Sequence, residues 1–199
     1  MIHTVFQPFY YIGKVVEQDL MKQELVPYIE SSYSANPNNQ PLQWSCKVHT
    51  SYEWTDSTLE KFKENYFSNI TECFSEIGFP NCQIELMPAW FNLYRNGQWQ
   101  EVHNHYSTND VYFTAVHFLK FNPKVHSPLI LVNSNKTLLQ GFKLGESSQY
   151  NDYWKIKYPI YSEEGDIVIF PSTIDHQVFP QETDESRITI SFNIKVLNK

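Results

Sequence analysis

Apolar residues follow helical spacing early in the chain and alternate later, and the change falls at Pro80. Residues 2–12 predict an edge strand, where Pro8 is tolerated at an edge or bulge. Val16, Leu20, Met21, Leu25, Val26 and Ile29 predict a helix over 16–33, with Pro27 kinking or ending it early. The composition of 34–42 predicts an exposed loop. Asp56 or Ser57 is then a candidate cap for a second helix. Its stripe is Leu59, Phe62, Tyr66, Ile70, Cys73, Phe74 and Ile77, stopped by Gly78 and Pro80. Beyond Pro80, period 2 predicts strands at 83–94, 99–105, 111–121, 128–133, 154–161, 166–170, 175–180 and 187–196. The polar stretch 134–152, with Gly141 and Gly145, is expected to loop over the barrel mouth. The expected fold class is α+β, mostly β: one domain over 1–199, with 1–82 as helical support and 83–197 as a β-sandwich or barrel body.

A length of 199 residues, 41% hydrophobic and 19% charged, describes a globular chain able to bury a substantial core. The formal net charge of −7 and the absence of a Lys/Arg run argue against a nucleic-acid partner held through phosphates. Three cysteines (Cys46, Cys73, Cys82) without CxxC spacing predict neither a disulfide framework nor a zinc finger, and suit a reducing cytoplasm. No signal-like N-terminus and no long apolar run is present, so neither a membrane span nor a secretory leader is expected.

Chemistry concentrates at four residues. His103 and His105 are two apart on a predicted strand, and strand alternation would point both to one face. His176 opens the strand after Gly165-Asp166-Ile-Val-Ile-Phe-Pro171, and a folded-over sheet could bring it to the other two. Arg187 follows eleven residues later. On its strand Arg187, Thr189 and Ser191 share one face and Ile188, Ile190 and Phe192 the other. An inward arginine costs several kcal/mol unless satisfied, and a carboxylate satisfies it bidentately. Three imidazoles beside a carboxylate anchor imply a metal site. His117 reads as a core or pocket histidine, and His3, His49 and His126 lack partners at useful spacing. GxGxxG, GxxxxGK[ST] and GxSxG are all missing, so dinucleotide, P-loop and hydrolase chemistry have no motif support.

His103-x-His105, His176 and Arg187 resemble the His-x-Asp, His and Arg pattern of the iron(II)/2-oxoglutarate dioxygenases. Gly165 to Ser172, followed by His176 and Arg187-Ile-Thr-Ile-Ser-Phe-Asn193, is similar to the closing motif of their prolyl-hydroxylase-like group of bacteria and phages. Trp90-Phe91-Asn92 with Gly97 resembles its first half. The resemblance covers about 88–196. It implies a double-stranded β-helix (jelly-roll or cupin-like) and a hydroxylase coupling 2-oxoglutarate decarboxylation by O2 to oxidation of a small-molecule or peptidyl substrate. Fe(II) would be held by His103, His105 and His176. Arg187 would take the distal carboxylate of 2-oxoglutarate, helped by Thr189 or Tyr94. The chain departs from the pattern at His105, which stands where the family carries a carboxylate. Three readings stay open: His105 itself ligates, Asp110 swings in as the carboxylate, or His105 stands behind a two-ligand site completed by water. Phe118 stands where the prolyl hydroxylases carry a tyrosine. A competing reading is a non-catalytic cupin-like metal-binding or sensor module, which has no need of an inward Arg187.

Overall fold

The computed structural model describes residues 8–37, 39–52, 57–106, 111–134 and 155–197. Strand β1 (Tyr11–Lys14) leads into helix α1 (Gln18–Ala35), followed by β2 (His49–Thr50), the short α2 (Ser57–Glu60), a 3₁₀ turn (Lys63–Tyr66) and α3 (Phe67–Glu76). Strands β3 (Ile84–Leu86), β4 (Trp90–Tyr94), β5 (Gln100–His103), β6 (Val111–Lys120), β7 (Leu129–Val132), β8 (Lys157–Pro159), β9 (Asp166–Pro171), β10 (His176–Val178) and β11 (Arg187–Val196) complete the chain.

The strands form two sheets. The larger runs β1-β9-β6-β11-β4-β2, with β3 also on β11, and the smaller runs β5-β10-β7-β8. Neighbouring strands pair antiparallel throughout these ladders. The larger sheet is covered on both faces, which accounts for the unbroken apolar run of β9. Ile167 and Ile169 join the core under the helices, while Val168 and Phe170 join a second cluster with Phe118, Leu129 and Leu131 from between the sheets. On β11, Ile188, Ile190, Phe192 and Ile194 pack toward the helices. The alternate residues of β11 are left to face the smaller sheet.

Helix α1 runs through Pro27, against expectation. The proline costs about 3 kcal/mol in a helix interior. Met21, Leu25 and Ile29 are fully buried on one stripe, and each such burial returns about 1.5–3 kcal/mol. The second predicted helix is interrupted by the 3₁₀ turn, although its apolar stripe continues through Tyr66. The predicted strand 83–94 divides into β3 and β4, and β2 is an addition. The first predicted strand lies at Tyr11–Lys14; its early residues, the candidate cap Asp56 and nearly all of the 134–152 loop fall outside the described residues. Gly165 enters β9 at φ 85°, a left-handed conformation that L side chains rarely adopt. Among the described residues no helix is long and apolar enough to cross a membrane.

His117 is a core histidine on the helix side of β6. The Tyr66 hydroxyl donates to its Nδ1 at 3.1 Å, and its Nε2–H donates to Gln18 Oε1 at 2.7 Å. Gln18 in turn donates to the Leu119 carbonyl at 2.9 Å. Burial pushes the imidazole down to about 3. Above pH 6.5 the folded and unfolded imidazoles are both neutral. Between 6.5 and 3 only the unfolded chain takes the proton, so stability falls with pH at about 1.4 kcal/mol per unit for this group. His117→Gln keeps a donor and an acceptor without the titration. Urea unfolding of the metal-free protein from pH 6.5 to 4.5 should therefore show a pH slope shallower than wild type by that amount.

Candidate metal centre and cosubstrate pocket

The smaller sheet brings two of the three histidines together directly. His103 at the end of β5 stands opposite His176 at the start of β10, with ring centroids 4.2 Å apart. His105 arrives differently from the alternation argument. Strand β5 ends at His103, and the chain crosses to the larger sheet, where the His105 amide donates to the Ser172 carbonyl at 2.9 Å. Its ring lies 5.2 Å from that of His103 and 5.0 Å from that of His176. One ring nitrogen from each histidine lies within 4.8 Å of the others. The alternative ligand Asp110 lies outside the described residues.

The hydrogen bonds behind the rings identify which nitrogens these are. His103 Nδ1 is 2.8 Å from the Glu101 carbonyl and His176 Nδ1 is 3.1 Å from the Ile174 carbonyl. A carbonyl only accepts, so both Nδ1 atoms carry the proton and both Nε2 atoms keep a lone pair. His105 Nδ1 is 2.7 Å from Asn193 Oδ1, which also accepts from the Thr114 hydroxyl at 3.1 Å. Burial lowers all three imidazoles. His105 falls to about 4, with the nearby His103 adding to the effect, and His176 falls well below its ordinary value. Neutral, Nδ1-protonated imidazoles are the form that ligates a borderline metal, and the bonds to their far sides hold the rings.

The cavity between the sheets has a volume of about 420 Å³. The triad lines it together with Arg187, Thr189, Ser191 and Asn193, the row of β11 that faces away from the helices. Arg187 is 1% exposed. Its Nε donates to the Ser127 carbonyl at 3.1 Å, and its Nη2 is buried with no hydrogen-bond partner among the described residues. The guanidinium carbon lies 5.0 Å from the Tyr94 ring centroid, 5.4 Å from Phe118 and 5.6 Å from Phe121. Desolvation lowers Arg187 to about 10, which leaves it charged at neutral pH. A buried cation with one donor nitrogen unsatisfied among the described residues suits an incoming carboxylate. The Tyr94 hydroxyl donates to Gln100 Oε1 at 2.6 Å, so this tyrosine offers Arg187 its ring. Phe118, where the resemblance has a tyrosine, contributes a ring to the same enclosure.

Two further pocket residues, Asn92 and Asn193, lie within the stretches that carry the resemblance but have no role assigned from the sequence. Asn193 continues the row Arg187-Thr189-Ser191. Asn92, 4% exposed with a buried Oδ1 that has no partner among the described residues, sits between Trp90 and Tyr94 on the pocket face of β4. Extending each strand's alternation by one step would have found both. His49 and His126 are buried away from the triad: His49 Nε2 meets Ser32 Oγ at 3.1 Å, and His126 Nδ1 accepts from the Asn122 amide at 2.9 Å. His3 lies outside the described residues.

Residues 88–193 match the 2OG-Fe(II) oxygenase family, a span containing the whole triad and Arg187. The chain belongs to that family. This oxygenase therefore uses Fe(II), 2-oxoglutarate and O2, and the non-catalytic metal module is set aside. Among solved structures it is similar to a Pseudomonas putida prolyl-4-hydroxylase, at 13% identity and a TM-score of 0.60, over 95% of this chain and 93% of that one. A viral collagen prolyl hydroxylase from Paramecium bursaria Chlorella virus-1, in complex with 2-oxoglutarate, matches at 11% identity and 0.60 over 95% and 97%. The carbocyclase SnoK from nogalamycin biosynthesis matches at 11% and 0.64 over 94% and 79%. At these identities the likeness shows the fold, a double-stranded β-helix. Among curated proteins none matches the sequence. The oxygenase's own residues fit its two cofactors: three imidazole lone pairs converge, and the Arg187 Nη2, buried without a hydrogen-bond partner among the described residues, belongs to a residue lining the same cavity.

Proposed function

We propose that this oxygenase is a hydroxylase whose iron is held by His103, His105 and His176 and whose 2-oxoglutarate is anchored by Arg187. The observation carrying the anchor is the buried Arg187 Nη2, without a hydrogen-bond partner among the described residues, in the cavity that the three histidines also line. Thr189 stands beside it as a hydroxyl donor, and Tyr94 walls the guanidinium with its ring and keeps water away. With both cofactors bound, decarboxylation of 2-oxoglutarate by O2 supplies the oxidising power for attack on a substrate C–H bond. The imidazoles contribute fixed lone pairs, and the apolar wall around Phe118 and Phe170 excludes water.

The substrate class is a peptidyl residue or a small molecule reaching the cavity beside Trp90, whose ring is 5.5 Å from that of His105. The prolyl hydroxylases among the structural relatives support the former, and SnoK supports the latter. Free thiols at Cys46, Cys73 and Cys82 support a reducing cytoplasm, and the resemblance to the prolyl-hydroxylase-like group supports a bacterial or phage setting.

Anaerobic addition of Fe(II) and then 2-oxoglutarate should develop the weak visible charge-transfer band of the chelate, and air should release succinate. Failure of both would overturn the reading. The same titration separates the third ligands. His105→Ala should weaken Fe(II) binding strongly and Asp110→Ala should leave it unchanged; the reverse pattern hands the position to Asp110. His105→Asp should retain iron and improve Mn(II) binding relative to Zn(II), because carboxylates suit manganese better than imidazole does.

A further inference from the structure

We infer that Asn193 is a positioning residue for the metal site: its side-chain oxygen fixes the tautomer and orientation of His105. The inference rests on the proposed reading that His105 ligates. His105 lies beyond the end of β5, so no strand ladder orients it as one orients His103 and His176. It has two described hydrogen bonds, from its amide to the Ser172 carbonyl and from its ring to Asn193 Oδ1. Backbone carbonyls hold the other two rings, and those cannot be swapped by mutation. At His105 the acceptor is a side chain.

Asn193 is itself held. It lies on β11 paired with Thr114 of β6, whose hydroxyl donates to the same Oδ1 at 3.1 Å. The same oxygen thus receives both the Thr114 hydroxyl and the imidazole. With an acceptor at 2.7 Å the ring is protonated on Nδ1 and its Nε2 lone pair faces the other two histidines. Without it, imidazole reverts toward the Nε2–H form it prefers in water, which cannot ligate through Nε2, and the ring is free to turn. The row Arg187-Thr189-Ser191-Asn193 would thus serve the cosubstrate at one end and the metal at the other.

The test uses metal-free full-length protein and Co(II). Long-range proton–nitrogen NMR should show His105 as Nδ1–H in wild type and in Asn193→Asp, and increasingly as Nε2–H in Asn193→Leu. Co(II) titration followed by its visible d–d absorption should give a dissociation constant about 10- to 100-fold higher for Asn193→Leu. Asn193→Asp, which still accepts, should bind at least as tightly as wild type. Thermal unfolding of the metal-free variants identifies any that fail to fold. If Asn193→Leu is one of these, Thr114→Val replaces it and should weaken Co(II) several-fold. An Asn193→Leu protein with wild-type affinity, an unchanged tautomer, or an Asn193→Asp protein weakened as much as the leucine variant overturns the positioning role. His105→Ala serves as the control. If it binds Co(II) like wild type, His105 is no ligand and the underlying reading fails; if it loses Co(II) while Asn193→Leu keeps it, only the positioning role fails.

Discussion

Arg187→Ala should raise the dissociation constant for 2-oxoglutarate at least a hundredfold while leaving metal affinity almost unchanged. The loss corresponds to about 3 kcal/mol, the scale for a buried carboxylate deprived of a bidentate charged partner. Arg187→Lys should recover only part of it, because an ammonium lacks the planar fork. A second effect has the opposite sign. In the protein without cosubstrate, Arg187 is a buried cation with one described hydrogen bond, to Ser127, and its depressed pKa reflects that uncompensated burial. Arg187→Met replaces it with an apolar chain among the rings of Tyr94, Phe118 and Phe121. Metal-free, cosubstrate-free protein should then gain about 1–2 kcal/mol, raising Tm by several degrees. Differential scanning calorimetry with and without 2-oxoglutarate reads both effects: the variant starts higher and no longer shifts. A variant that still binds 2-oxoglutarate normally would remove Arg187 from the cosubstrate site.

His176→Ala should weaken Fe(II) or Co(II) binding at least a thousandfold, about 4 kcal/mol. His176 stands against His103 on one side and the Phe170 ring, 4.9 Å away, on the other, so the fold delivers its lone pair with no freedom to spare. Removing it leaves two imidazoles and a void the size of a ring. Added imidazole at millimolar concentration should enter that void and restore part of the metal affinity, an effect general destabilisation would not show. Isothermal titration with and without imidazole is the measurement. Wild-type affinity in His176→Ala would place the metal elsewhere.

The parts of this architecture legible in the sequence are those where one periodicity carries two chemistries. On β11 the alternate residues are aliphatic and polar, and the structure sends one set under the helices and the other into the cavity. β9 was legible as a strand buried on both faces because nothing polar interrupts it. His105 was assigned to the right neighbourhood by the wrong geometry: alternation presumes the strand continues, and β5 stops at His103. Asn193 and Asn92 stand in the quoted motifs without a role, because a strand asparagine has no spacing rule of its own. The 3₁₀ turn escaped because steps of three and four residues keep an apolar stripe on one side in either helix type. The two residues of β2 are too few to show a period, and α1 passed through Pro27 because burial on the sheet outweighs a local penalty.

The crossing of the chain between His103 and His105 also bears on the mechanics of the whole molecule. His103 and His176 belong to the smaller sheet, whereas both described hydrogen bonds of His105 go to the larger one, at Ser172 and Asn193. An ion held by all three rings would act as a rivet through the two layers. Its binding free energy would then appear as resistance to their separation, growing with the logarithm of free metal concentration. Stripping the ion would slacken the mouth of the sandwich first, where β5 lies at the sheet edge. Amide exchange there would record the loosening long before the helix-covered core beneath β9 and β11 gave way.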